Sequence, residues 1–273
     1  MRLAVFQGPE DPGDVATNLR RLGEQAHVAA RAGARLLVCP EMFLTGYNIG
    51  REEAARLAEP VDGPALGRAR EIAAGAGMAL LFGYPERGAD GQVYNAAVLI
   101  ERDGRILANT RKCHLFGDLD RGMFRAAGAP SATIALDEFR VGILICYDVE
   151  FPEAVRLHAL AGSDLVLVPT ALMEPYEVVA EIVVPARAFE NQVFMAYANR
   201  AGREGDLVYC GRSCVVAPDG ADLARAGRSE ELIVADLDPE RLRASRRVNT
   251  HLLDRRPELY GPLAERPGGE AAP

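Results

Sequence analysis

The stretch Phe139-Arg-Val-Gly-Ile-Leu-Ile-Cys-Tyr-Asp148 decides the fold class. Its apolar part, which ends at Cys146, reads as a buried strand. Pro152 then opens a helix that runs to about residue 161, because proline is favoured at the first helical position. A second apolar strand, Asp164 to Val168, follows that helix. Strands that alternate with helices in this way predict an α/β protein.

The same alternation continues on both sides of this stretch. Toward the N-terminus, the strands Leu3 to Gln7 and Leu36 to Cys39 flank a helix that begins after Asp14, with apolar residues at three-to-four spacing. Pro185 is expected to kink or restart the helix in which it lies. No linker of 15 residues interrupts the series, so we expect one domain over 1–260 and a flexible tail over 261–273. The other predicted strands are 78–84, 93–101, 105–109, 193–199, 212–217 and 231–236, and the other helices are 51–58, 65–76, 176–191 and 239–246.

Composition excludes several classes of protein. The 273 residues are 49% apolar and carry a formal net charge of −8, so the chain can form a core and is not predominantly disordered. A negative charge without a basic stripe argues against nucleic acid or an anionic membrane as partner. The longest apolar runs are too short to span a bilayer, and the first residues lack a secretory leader pattern. Five cysteines, an odd number, do not suggest a disulfide framework, so we expect a cytoplasmic protein.

Lysine usage is the sharpest compositional feature. Of the 31 basic residues, only Lys112 is a lysine. Lysine is a compact point charge with three donors, whereas arginine is a broad planar fork. A single lysine in this background suggests a position where arginine would not serve, although survival by chance explains it equally well.

Three polar residues stand just past the ends of predicted strands, where open α/β sheets bind ligands. They are Glu41, Lys112 and Cys146. Alone, the glutamate reads as a solvated loop carboxylate and the cysteine as an inert core thiol. Together they supply a thiol nucleophile, a base to take its proton and a cation to hold a developing oxyanion.

The proton transfer in this scheme depends on the surroundings of both groups. With reference pKa values of about 8.5 for cysteine and about 4.3 for glutamate, transfer from thiol to carboxylate is uphill by roughly 6 kcal/mol. We expect the Lys112 ammonium to lower the thiol pKa, and burial to raise the pKa of the Glu41 carboxyl.

Other chemistries find less support in the sequence. The chain has no Gly-x-Ser-x-Gly elbow, no phosphate-binding loop and no dinucleotide fingerprint. Cys210 and Cys214 have no nearby histidine, so no metal site is predicted. A Cys–His hydrolase, with His114 or His158 serving Cys146, remains the stronger alternative.

At these residues the sequence resembles the nitrilase superfamily of carbon–nitrogen hydrolases. Four stretches, in order and spacing over roughly residues 1–245, carry the resemblance. They are Leu37-Val-Cys-Pro-Glu-Met-Phe-Leu-Thr-Gly-Tyr47, Arg111-Lys-Cys-His-Leu115, Gly142-Ile-Leu-Ile-Cys-Tyr-Asp148 with Phe151-Pro-Glu153, and Pro185-Ala-Arg-Ala-Phe-Glu-Asn191 with Ala198-Asn-Arg200.

The resemblance implies a four-layer α-β-β-α sandwich that pairs into a homodimer or a higher homo-oligomer. It also implies that Cys146 is the nucleophile, Glu41 the general base and Lys112 the oxyanion stabiliser, with the Tyr147 backbone N–H as second oxyanion donor. The implied reaction is hydrolysis of a small amide through a thioester, with release of ammonia or an amine and without a cofactor. A nitrilase that uses the same three residues, and a catalytically silent binding module, remain alternatives.

The sequence departs from the family pattern after the lysine. Where a second glutamate is common, Asp118 and Asp120 occur, and we prefer Asp120 to a merely solvated acidic turn. The Pro-Gly-Asp stretch that often follows is absent, which leaves the shape of the loop and the access of substrate open. From their places in the matching stretches, we expect Asp148 and Arg187 to form an ion pair.

Residues in the flanking loops could line a small apolar pocket or simply pack beneath the loops. They are Tyr47, Phe116, Tyr147, Met173 and Tyr176. Arg111 or Arg121 could hold a substrate carboxylate, although surface solvation is the default for both. The apolar segment Asn249 to Tyr260 could dock on a partner subunit or on its own domain.

Overall fold

Two six-stranded β-sheets form the centre of the protein in the computed structural model, which describes residues 1–8 and 12–265. The strands of this part of the chain are β1 (Arg2–Gln7), β2 (Leu36–Val38), β3 (Ala79–Arg87), β4 (Val93–Ile100), β5 (Ile106–Arg111), β6 (Ile134–Leu136), β7 (Phe139–Ile143), β8 (Leu165–Pro169), β9 (Phe194–Ala198), β10 (Ala201–Glu204), β11 (Leu207–Cys210), β12 (Cys214–Val216), β13 (Asp222–Arg225) and β14 (Glu231–Asp236). The sheet orders are β14-β1-β2-β3-β4-β5 and β13-β12-β9-β8-β7-β6, and β10 and β11 form a separate ribbon.

Helices cover the outer faces of both sheets. The α-helices are α1 (Val15–Arg31), α2 (Gly50–Leu57), α3 (Pro64–Ala76), α4 (Gly117–Met123), α5 (Pro152–Leu160), α6 (Val184–Asn191) and α7 (Pro239–Val248). The side chain of Asp14 caps α1 by accepting a hydrogen bond from the Thr17 N–H, as the sequence suggested.

Strand alternation separates the core into layers. Leu3 and Val5 of β1 face the second sheet, whereas Ala4 and Phe6 face the cluster beneath α1 and α3. In the same way, alternate residues of β8 face the first sheet or the cluster beneath α5 and α6. The predicted four-layer α-β-β-α sandwich is therefore confirmed.

Several local predictions can now be compared with the structure. Pro185 restarts its helix as predicted, because a π-helical turn over Val179–Val183 precedes α6. The sequence missed α4 and the β10–β11 ribbon, which are short and lack strong periodicity. Within the predicted tail, Gly261–Ala264 forms a 3-10 turn, and 266–273 lie outside the described residues.

The topology brings the three polar residues to one region of the sandwich. Glu41 follows β2, Lys112 follows β5 and Cys146 follows β7. Strand β2 runs parallel to β3, and β4 is antiparallel to both β3 and β5, so the loops after β2 and β5 emerge at the same end of the first sheet. Hydrogen bonds from the Ile145 and His114 N–H groups to Asp148 hold the loop after β7 of the second sheet against the lysine loop.

We predict that Gly142→Ala destabilises the second sheet. A Cβ atom at this position of β7 would lie 2.6 Å from Nδ1 of the buried His158 on α5, so the helix would have to move. Overpacking of this kind costs about 1–3 kcal/mol, which should lower the melting temperature by several degrees. Gly67→Ala on α3, where the added Cβ meets nothing within 4 Å, is the control. Equal melting temperatures for both variants and the parent would contradict this account of the packing.

Candidate active site

Glu41 lies in a tight loop that packs directly on β3. Its carboxylate is fully buried, and the next residue, Met42, adopts a left-handed backbone conformation with φ of 51°. Gly83 of β3 makes this approach possible, because a Cβ there would lie 2.2 Å from the Met42 backbone nitrogen. The Gly83 N–H also donates to the Pro40 carbonyl at 3.0 Å, so β3 fixes where the Glu41 carboxylate lies.

Lys112 lies between two buried carboxylates. Its Nζ is 2.8 Å from Oε1 of Glu41 and 2.6 Å from Oδ2 of Asp120, and none of the three side chains is exposed. Nδ2 of Asn95 donates to the same Glu41 Oε1 at 2.6 Å. Within the described residues, Oε2 of Glu41 has no hydrogen-bond partner. The carboxylate thus keeps one oxygen available for an incoming proton.

Asp120 rather than Asp118 is the second acid of this cluster. Asp120 is buried on α4, and its Oδ1 accepts a hydrogen bond from the Tyr47 hydroxyl at 2.9 Å. Its Oδ2 accepts from the Phe116 N–H at 2.9 Å as well as from Lys112. Asp118, two residues earlier in the same helix, is exposed to solvent.

Cys146 begins a short 3-10 helix, Cys146–Glu150, in a left-handed conformation with φ of 48°. This conformation costs roughly 1–2 kcal/mol in a residue that has a side chain. Backbone strain of this kind is concentrated at functional sites. The N–H groups in the first turn of a helix, here including that of Tyr147, have no acceptor within the helix.

Asp148 holds the cysteine turn and the lysine loop together. Its carboxylate accepts hydrogen bonds from the Ile145 N–H at 3.1 Å and from the His114 N–H at 2.8 Å. It also contacts Nδ1 of His114 at 2.7 Å. The expected ion pair with Arg187 is wrong, because that guanidinium donates to the Val149 and Glu150 carbonyls and pairs with Glu190.

The electrostatics show both expected effects, but burial outweighs the effect of Lys112 on the thiol. Burial raises the pKa of the Glu41 carboxyl, as expected. Burial, followed by the charge of Glu41, also raises the pKa of the Cys146 thiol, and Lys112 only partly opposes this. The two carboxylates outweigh burial and hold the pKa of Lys112 well above its usual range. Burial and Glu41 therefore oppose ionisation of the thiol beside this ammonium–carboxylate cluster.

The two histidines considered as partners of Cys146, His114 and His158, contact other groups. His114 binds Asp148 and stacks on Phe151 with ring centroids 3.9 Å apart. His158 lies behind β7, against Gly142, where burial lowers its pKa. The groups with the largest effect on the Cys146 thiol are Glu41 and Lys112, so the arrangement does not favour a Cys–His pair.

The five residues proposed as pocket lining occupy two different settings. Phe116 packs edge-on against Tyr147 and Tyr176, with ring centroids 5.4 and 5.9 Å away, and these three side chains are partly exposed beside the cysteine turn. Tyr47 and Met173 are instead buried in one apolar cluster beneath the loops. Tyr47 contacts Asp120 there, with its ring 5.9 Å from Nζ of Lys112.

Sequence reasoning missed two residues: Asn95, which contacts Glu41, and Glu204, which contacts Tyr47. Asn95 interrupts the apolar strand β4, and an amide at a buried strand position was a usable signal. Glu204, on the β10–β11 ribbon, accepts hydrogen bonds from the Tyr47 N–H and the Tyr209 hydroxyl. No local pattern marks Glu204, because it contacts Tyr47 across 157 positions of sequence.

Of the two arginines considered for a substrate carboxylate, one is paired with another residue and one is exposed. Arg111 pairs with Glu86 and stacks over the Tyr94 ring, and Arg121 is exposed on α4. Across 1–8 and 12–265, no three His, Cys, Asp or Glu side chains are grouped to hold a metal ion. In the same residues, no helix has the length and apolar character needed to cross a membrane.

Comparison with known proteins finds relatives that are named hydrolases or amidases. The family description "carbon-nitrogen hydrolase" matches residues 2–247. The chain is 53% identical to "Hydrolase in pqqF 5'region" of Pseudomonas protegens, over 97% of this chain and 93% of that one. It is 38% identical to an (R)-stereoselective amidase of a Pseudomonas species, over 98% and 96%. An amidase from Nesterenkonia sp. AN1, solved as a double mutant with acrylamide, superposes with a TM-score of 0.83 at 35% identity, over 95% of each chain.

Proposed function

This chain belongs to the carbon–nitrogen hydrolase family, and we propose that it hydrolyses small amides with Cys146 as nucleophile, Glu41 as general base and Lys112 as oxyanion stabiliser. It is a hydrolase of carbon–nitrogen bonds other than peptide bonds, with small-molecule amides as its substrate class. The roles of the three residues rest on one observation: a carboxylate and an ammonium lie buried 2.8 Å apart, and Asp148 ties the lysine loop to the cysteine turn.

The first half of the reaction forms a thioester. As the Cys146 sulfur attacks the amide carbon, its proton passes to Oε2 of Glu41, the oxygen that has no other partner. The raised pKa of the thiol favours a transfer that accompanies bond formation. Glu41 then gives the proton to the amide nitrogen, the carbon–nitrogen bond breaks and ammonia or an amine leaves.

The oxyanion of the tetrahedral intermediate has two donors in this scheme. Lys112 carries three N–H groups, of which two are directed to Glu41 and Asp120, so the third can reach the oxyanion. The Tyr147 backbone N–H is the second donor. The compact ammonium of a lysine suits this buried position between two carboxylates, where an arginine would bring a broader planar group.

The second half of the reaction hydrolyses the thioester. A water molecule loses a proton to Glu41 as its oxygen attacks the acyl carbon, and the same two donors hold the new oxyanion. Collapse of this intermediate breaks the carbon–sulfur bond, and the proton on Glu41 returns to the sulfur. The products are a carboxylic acid and the restored thiol, and no step in the scheme calls for a cofactor.

The enclosed site suits a small acyl group. Glu41 and Lys112 are buried, and the cysteine is 9% exposed. The next residue, Tyr147, packs against Phe116, which also packs against Tyr176. These rings would form the apolar part of the entrance. Tyr47 and Met173 would support the site from below, since both lie in the buried cluster.

A homodimer would cover the apolar face of the second helical layer. Leu157 and Leu160 of α5 are exposed, and with Leu263 they line a groove of about 630 Å³. In the C-terminal segment, Leu252 packs on its own domain, whereas Leu253 is 82% exposed. Part of this segment therefore packs on its own domain, and part is open to a partner subunit. Exposed apolar side chains grouped in this way favour an interaction site.

Replacing the nucleophile gives the most direct test. We predict that Cys146→Ala lowers the rate of ammonia release from butyramide by at least about 10³-fold, because no other group can form the thioester. Cys210→Ala, which removes another buried thiol, should retain most of the activity. Hydrolysis by Cys146→Ala at the parent rate would refute the proposed role. The same assay with butyronitrile separates amide hydrolysis from nitrile hydrolysis.

Asp120 should set the pH dependence of the reaction. Activity requires ionised Glu41, so kcat/KM falls as the pH drops through the raised pKa of this carboxyl, to which the charge of Asp120 contributes. In Asp120→Asn that contribution is lost, the pKa of Glu41 falls and the acid limb moves to lower pH. The value of kcat should also fall, because Lys112 loses one of its two anchors. Asp118→Asn is the matched control, and an equal shift in both variants would contradict this assignment.

Light scattering tests the homodimer. We predict that the parent has twice the 29.4 kDa chain mass. The double variant Leu157→Asp, Leu160→Asp should have the mass of a single chain, because charges on this face oppose its burial. Val28→Asp on α1, on the opposite outer layer, should leave the mass unchanged. A parent with the mass of one chain, or a double variant with the parent's mass, would reject this interface.

A further inference from the structure

A basic cavity lies between α2, α4 and the start of β4. Its volume of about 410 Å³ is within the range of about 300–1,000 Å³ that is usual for ligand-binding pockets. It is lined by Arg51 of α2, Arg121 of α4 and Arg125, which follows α4. Among the described residues that line this cavity there is no aspartate or glutamate. Three positive charges therefore share one cavity in a chain whose formal net charge is −8.

Hydrogen bonds hold two of these arginines at the cavity. Nε of Arg51 donates to the Gly122 carbonyl in the last turn of α4 at 2.6 Å. Within the part of the chain that the structure describes, the two Nη groups of Arg51 make no hydrogen bond. The Arg125 N–H donates to the Val93 carbonyl at 2.8 Å, so β4 fixes the backbone that follows α4. The fold thus sets where these two side chains start, and it leaves their donors available to a ligand.

The three arginines lack carboxylate partners. Across 1–8 and 12–265, none of them forms an ion pair with an aspartate or a glutamate. The cavity between α1 and α3 gives a contrast, because it also contains two arginines. There Arg20 pairs with Glu24 at 2.8 Å, and Arg68 pairs with Glu71. The positive charge of the basic cavity is therefore not compensated by its own lining.

Part of the lining of the basic cavity is apolar. It includes Val93, Met123 and Phe124, and the last two are buried in the same apolar cluster as Tyr47. A ligand that fits this cavity has an anionic group for the guanidinium groups and an apolar part for these side chains.

The chemistry of arginine favours a phosphoryl group as that anion. The planar guanidinium donates two parallel hydrogen bonds to phosphate oxygens. A phosphate monoester carries about 1.5–2 negative charges at pH 7, so it balances more of the positive charge than a monocarboxylate does.

We propose that the basic cavity is a binding site for a small phosphate monoester that carries an apolar or aromatic group. The guanidinium groups of Arg51, Arg121 and Arg125 bind the phosphoryl oxygens, and the apolar side chains contact the rest of the ligand. The site shares no residue with the three groups of the reaction scheme, so the inference goes beyond the proposed amide hydrolysis and does not depend on it.

Isothermal titration calorimetry of the full chain with three probes tests the site. The probes are phenyl phosphate, inorganic phosphate and benzoate, which has the same ring but a single negative charge. We expect saturable binding of phenyl phosphate, on the order of 10-fold tighter than that of inorganic phosphate, because the ring covers apolar lining. Benzoate should bind at least about 10-fold more weakly than phenyl phosphate, since it forms fewer charged hydrogen bonds.

Cavity variants locate the binding. Arg125→Gln should weaken phenyl phosphate binding by about 10-fold, and the double variant Arg51→Gln, Arg125→Gln by at least about 30-fold. The Arg125 side chain makes no hydrogen bond within the described residues, so the single variant should melt at the parent temperature. The matched control is the double variant Arg20→Gln, Arg68→Gln, which removes the same charge from the cavity between α1 and α3. Its dissociation constant for phenyl phosphate should stay within about 2-fold of the parent value.

Three results would overturn the inference. The first is no saturable binding of phenyl phosphate up to about 10 mM. The second is equal affinity for benzoate and phenyl phosphate, which would exclude recognition of a phosphoryl group. The third is an equal loss of affinity in the cavity double variant and in its control, because that would indicate nonspecific attraction to surface charge. The titrations involve no turnover, so each of these results leaves the proposed amide hydrolysis intact.

Discussion

One ammonium shared by two buried carboxylates is the interaction on which the rest of the site depends. Three charges withdrawn from water are costly to bury, and only close pairing with satisfied hydrogen bonds makes the cluster stable. Because Lys112 compensates one of the two negative charges, Glu41 and Asp120 leave a residual negative charge. Burial and the charge of Asp120 raise the pKa of the Glu41 carboxyl, and burial and the charge of Glu41 raise the pKa of the Cys146 thiol.

The fold holds this cluster with contacts from distant parts of the chain. Gly83 lets the glutamate loop lie on β3, and Asp148 joins the cysteine turn to the lysine loop. Tyr47 connects Asp120 to Glu204 on the outer ribbon. Each element therefore positions a reacting group indirectly, through a neighbour that fixes its backbone or side chain.

The sequence predicted the architecture well because the strands are strongly apolar and the turns carry glycine and proline. It also led to Glu41, Lys112 and Cys146 as candidates, since each follows a strand end, and the structure brings their loops together. It failed where long-range geometry decides the outcome. The partner of Asp148 proved to be a backbone segment and not Arg187, and the net effect on the thiol depended on burial that composition cannot reveal.

The burial of Lys112 has a consequence for the chemistry of the whole surface. Because this is the only lysine, and its side chain is fully covered, the folded chain exposes no side-chain amine. Amine-directed acylating reagents can modify Lys112 only when the two carboxylates separate from it and the loops above it open. The rate at which an acyl group is added at that position, counted apart from acylation of the chain's α-amino group, would therefore measure how often the cluster opens.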